Sequence, residues 1–77
     1  MPNQLPLNLE VAAEAVQNHA KTCRHFSEVW DTVAKMDFDR AVEILLQNDV
    51  KSFRGAYFRL WNEARLELKE ANFAAQN

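Results

Sequence analysis

After Pro6 the chain contains no further proline, and Gly55 is its only glycine. Sheets need tight reversals between strands, and those reversals draw heavily on glycine, proline and asparagine. A sequence with so few turn formers, and with few β-branched residues in alternation, reads economically only as helices joined by short connections. The expected fold class is therefore all-α: a small bundle of three helices, with a long first helix, a short middle one and a long last one. At 77 residues it forms one domain, 1–77, with an extended N-terminal segment at 1–7 and a frayed tail at 74–77.

Hydrophobic periodicity places the helices. Asn8 is a plausible N-cap after Pro6, and Glu10 suits the positive end of a helix dipole. From there Leu9, Val16, Cys23 and Trp30 recur every seven residues, with Ala12, His19, Phe26 and Val33 three further on and Ala13, Ala20 and Ala34 beside them. The stripe keeps its phase throughout, which favours one helix from Leu9 to Met36 over two helices broken near Thr22. Thr22 and Ser27 could each cap a new start, so the second arrangement stays open. Asp37 or Asp39 then caps a short helix through "FDRAVEILLQN", with Phe38, Ala41, Val42, Leu45 and Leu46 on one side, ended by Asn48 and Asp49. The last helix is expected from Val50 to Phe73, its core stripe being Val50, Phe53, Tyr57, Leu60, Trp61, Ala64, Leu68 and Ala71.

Composition excludes several classes. With 48% hydrophobic and 26% charged residues the chain is too apolar for a disordered one. No apolar run approaches the roughly 18 residues of a membrane span. The start "MPNQLPLNL" lacks both a basic and a continuous apolar export region. A single cysteine allows no internal disulfide, and a cytoplasmic location is expected. The net charge of −2 conceals an asymmetry: eight acidic and four basic residues up to Val50, then five basic and three acidic from Lys51 onward. That imbalance falls well short of the basic footprint usual for nucleic-acid binding.

The segment "QNHAKTCRHFSEVW" holds the only cysteine and both histidines. His19 and Cys23, four apart, would share a helical face and offer two metal ligands. His25 would lie about 200° round the helix from Cys23, and Glu28 about 140°. A structural zinc site requires four ligands and a catalytic one usually three, so no metal and no cofactor are expected. Nucleophilic catalysis by Cys23 would need an activating environment and an oxyanion hole, yet no glycine-rich loop is available to build one. Cys23 is expected to pack in the stripe, with His19 partly buried at its edge, and no catalytic residues are assigned.

On the last helix, Lys51, Arg54, Phe58, Arg65 and Lys69 fall within about 60° of one another, beside the core stripe. They form a basic flank with one aromatic anchor, suited to an acidic protein partner. Glu63, Glu67 and Glu70 gather on the other flank. Between the flanks stand Leu66 and Phe73, seven apart and directed away from the stripe, which suggests self-association as a homodimer.

The stretches "NLEVAAEAV", Asn8 to Val16, and "FRGAYFRLWNEAR", Phe53 to Arg65, resemble the first and last helices of the theta subunit family of bacterial DNA polymerase III. Gln17 to Lys35 has no counterpart in that family. The resemblance implies a small three-helix, non-catalytic accessory protein of replication that binds the proofreading exonuclease subunit. Read from the residues themselves, the expected function is a non-enzymatic interaction module that binds or inhibits a protein partner through its last helix. The alternative is a nucleic-acid-associated or replication-accessory protein using the same basic flank.

Overall fold

The computed structural model describes residues 6–23 and 27–75. Every regular element among them is a helix: α1, Leu9–Cys23; α2, Glu28–Lys35; α3, Phe38–Gln47; and α4, Phe53–Ala75. The expected long first helix is thus two helices, and the bundle has four rather than three. Ser27 supplies the physical reason. Its backbone is extended (φ −166°, ψ 138°), and its hydroxyl accepts a hydrogen bond from Val29 N at 3.0 Å, which starts a new helix. Arg24, His25 and Phe26, and with them the expected places of His25 and Phe26 on the stripe, lie outside the described residues, as do residues 1–5 and 76–77.

Local capping explains the other boundaries. Asn8 Oδ1 accepts from Glu10 N (2.9 Å) and Val11 N (3.2 Å), as its sequence context suggests. Asp37, rather than Asp39, caps α3 through Arg40 N at 3.2 Å. The chain leaves α3 through a Schellman turn, with Val50 N bonded to Leu45 O and Asp49 N to Leu46 O, both at 3.3 Å. Asp49 takes the left-handed position, φ 52°, where glycine is usual. This turn removes Val50 from α4, which starts three residues later behind Ser52, whose hydroxyl accepts from Gly55 N at 3.0 Å. The lone glycine therefore lies inside a helix, while the position that favours glycine holds aspartate. Asp49→Gly is expected to raise stability by about 0.5–1 kcal/mol, since it relieves a left-handed residue at some cost in unfolded-chain entropy. Urea unfolding would register the gain, and the exposed contact of Asp49 with Lys51 (3.6 Å) is too solvated to offset it.

α1 and α4 are the centre of the molecule. α1 contacts each of the other three helices, whereas α2 and α3 each pack on α1 and α4 and do not touch one another. The buried apolar set is Ala12, Ala13, Val16, Ala20, Val33, Ala41, Ile44, Leu45, Ala56, Leu60 and Ala64, more than half of it alanine. Alanines make up most of the buried faces of α1 and α4, and only Val16, Val33, Ile44, Leu45 and Leu60 add bulk to the core. Two sequence expectations are corrected by this core. Phe38 and Leu46 do not join Ala41 and Leu45 inside α3, being 37% and 66% exposed, because α3 turns Ile44 inward instead. Phe53, expected in the stripe of the last helix, is 46% exposed, and Ala71 is also on the surface. Ala56 holds the buried place at the start of α4.

The one buried polar side chain among the described residues is Gln17. Its Nε2 donates to Val33 O at 3.1 Å and to Met36 O at 2.7 Å, so α1 caps the end of α2 from outside. Arg40 on α3 pairs with Glu67 on α4; the shielded Oε2 of Glu67 has this charge contact in place of an aligned hydrogen bond.

Candidate functional site

Three helices meet at a cluster of rings. His19 of α1, Trp30 of α2 and Tyr57 of α4 contact one another edge-on, with centroids 5.2 Å (His19–Trp30), 5.1 Å (His19–Tyr57) and 6.3 Å (Trp30–Tyr57) apart. Edge-to-face packing of this kind joins the positive rim of one ring to the negative face of another. From this cluster an apolar groove of about 350 Å³ opens to solvent, lined by Trp30, Arg54, Tyr57, Phe58 and Trp61. Phe58 is 62% exposed at its edge.

Charge is distributed around the groove by helical spacing. Arg54, Phe58, Trp61 and Arg65 lie within about 60° on α4, one above another. The Arg65 guanidinium lies over Trp61, 5.9 Å from the ring centroid, and donates to Asn62 Oδ1 at 3.1 Å. The Arg59 guanidinium lies over Phe58, 6.0 Å from the ring centroid. Beyond Arg65 the same face of α4 continues into a second, more polar depression of about 600 Å³, which Lys69, Asn72 and Phe73 share with Ser27 and Glu28 at the start of α2.

The structure therefore divides the expected docking strip. Arg54 and Phe58 come together in the aromatic groove, whereas Arg65, stacked on the groove's Trp61, lines the second depression together with Lys69. Lys51 is not part of this face: it precedes α4 and its amine lies near Asp49, because the Schellman turn has taken it out of helical register. Trp30, Tyr57 and Trp61 are the site residues that sequence reasoning assigned to the core. Their spacing fits a buried stripe equally well, and only the seating of α2 shows that a strip of their surface stays open.

His19 and Cys23 do meet, with Cys23 Sγ 3.4 Å from His19 Nε2. Against expectation His19 is exposed, and Cys23 is half-buried rather than part of the core. Cys23 closes α1, whereas activated thiols favour helix N-termini. Among the described residues no group of three or more potential ligands could hold a metal ion. No helix among them is long and apolar enough to cross a membrane.

Comparison with known proteins returns no match for this chain, whether by family model, by curated sequence or by solved structure.

Proposed function

We propose that this chain is a non-catalytic protein-interaction module that docks an acidic, amphipathic segment of a partner on the aromatic groove of α4. The observation that carries this reading is the inverted placement of its apolar residues. Alanines fill the core, while all four described phenylalanines, Phe38, Phe53, Phe58 and Phe73, are at least 37% exposed. Isolated surface apolar residues are common, but aromatic rings gathered in an open groove and flanked by arginines have the composition of a binding hot spot. Phe58 and Trp61 supply desolvated area, and Arg54 and Arg65 supply bidentate donors for carboxylates at the rim. Nucleic acid fits the face less well, since Glu63, Glu67 and Glu70 on the same helix oppose a phosphate backbone.

Selection of a random peptide library on the intact protein tests this reading. Enriched peptides are expected to combine acidic residues with leucine or aromatic anchors. Arg54→Glu with Arg65→Glu should weaken their binding at least tenfold, and Phe58→Ala by a similar factor, with helical content unchanged because all three side chains are exposed. Peptides lacking acidic residues, or undiminished binding by the folded variants, would refute it. Binding of single-stranded oligonucleotides that falls steeply with salt would favour the nucleic-acid alternative instead.

A further inference from the structure

We propose that the acidic partner segment is held in two parts along the seam between α2 and α4: its apolar anchor in the aromatic groove, and a separate cluster of carboxylates in the depression lined by Arg65, Lys69 and Asn72. From Trp61 to Lys69 the helix advances about 12 Å, which sets the separation between anchor and charge. This second subsite presupposes the groove as a docking site. It adds a required spacing, which the groove alone does not impose on a partner.

The two hollows lie end to end on one face of α4. Phe58, Trp61, Arg65, Lys69 and Asn72 all fall within about 60° of Arg54 round the helix. Arg65 joins the hollows, since its guanidinium rests on Trp61 of the groove while the residue lines the depression. The carboxylates of α4 are on the opposite side: Glu63, Glu67 and Glu70 lie about 160–220° from Arg54. The ion pairs among the described residues use Lys35, Arg40 and Lys51, and leave Arg54, Arg65 and Lys69 without a carboxylate partner. In a chain with 11 acidic residues against nine basic ones, three unpaired cations along one line are complementary to acidic groups of another molecule. Glu28, on the α2 side of the depression, is exposed and pairs with neither cation, so two cations and one carboxylate leave this hollow net positive. Four rings and one arginine wall the groove, whereas the depression offers Arg65, Lys69 and Asn72 as donors to carboxylate oxygens. Phe73, expected with Leu66 on an outward line, reaches this depression as well as the shallow hollow it borders with Leu66.

Fluorescence anisotropy of the full chain with labelled synthetic peptides tests the two-part arrangement, with circular dichroism as the check on folding. Each peptide carries a Leu-Trp-Leu anchor joined by a Gly-Ser spacer to an Asp-Glu-Asp-Glu tract, placed before the anchor in one series and after it in the other. An extended spacer of about four residues covers about 12 Å. In one of the two orders that spacer should give binding at least tenfold tighter than a control whose tract is replaced by serines. Lys69→Glu should weaken the tract peptide at least fivefold and leave the control within about twofold. Lys21→Glu, the same change of charge on α1, should leave both peptides within about twofold; Lys21 and Lys69 are both exposed, so helical content should not change. The second subsite is overturned, and the groove keeps its role, if the tract brings no gain, if the gain is as large without a spacer, or if Lys69→Glu costs no more than Lys21→Glu. Binding that ignores Phe58→Ala, or no binding of any peptide at about 1 mM, refutes the groove itself and the second subsite with it.

Discussion

Gln17→Leu is expected to destabilise the protein by about 2–4 kcal/mol, although leucine matches glutamine in size and is better suited by hydropathy to a buried site. Gln17 is only 7% exposed, and its amide serves two carbonyls at the end of α2, Val33 O and Met36 O. Val33 O retains the backbone bond from Met36 N at 3.2 Å. Met36 O would be left without the short side-chain bond that satisfies it, and an unpaired polar group away from water costs about 1–3 kcal/mol. The remainder is the lost fixing of α2 against α1. Urea unfolding of the two proteins measures the difference; a leucine variant as stable as the parent would mean that the bridge contributes nothing.

The second large effect is a contrast between two residues of α4. Leu60→Ala should cost about 3–4 kcal/mol, because Leu60 is fully buried and a cavity in a core made chiefly of alanine has few long side chains able to fill it. For a chain of this length total stability is about 4–12 kcal/mol, so that single change removes a large share. Phe58→Ala, a larger truncation only two residues away, should shift stability by no more than about 0.5 kcal/mol. Thermal and urea denaturation of both variants would show the contrast. Comparable losses would place Phe58 in the core and remove the main support for a docking surface.

Much of the helix content was legible because capping and periodicity are local. Asn8 and Asp37 both cap as their positions suggest, and the buried residues Ala12, Ala13, Val16, Ala20 and Val33 all belong to the stripe read from the sequence. The same stripe hid the reversal between α1 and α2. Both helices face one core, and the connection between them happens to preserve the heptad phase, so periodicity alone cannot distinguish one rod from a hairpin. Ser27 was the available signal, with Glu28 and Asp31 following in the first turn. The groove was less legible still. Arg54, Phe58 and Arg65 declare themselves by spacing, but Trp30 reaches them only because the chain turns back. Gln17 carried no sequence mark of its role, since a glutamine on a helix is ordinarily solvated.

The absence of contact between α2 and α3 links binding to folding. α2 is seated by α1 and α4 alone, and it carries Trp30, one wall of the aromatic groove, while the opposite wall belongs to the long α4. A ligand gripping both walls acts as a clamp between α2 and α4, and it would bind only the state in which the two are packed together. Its affinity is then thermodynamically coupled to the equilibrium between docked and detached α2, so that occupancy of the groove and the seating of one eight-residue helix are two readings of the same free energy.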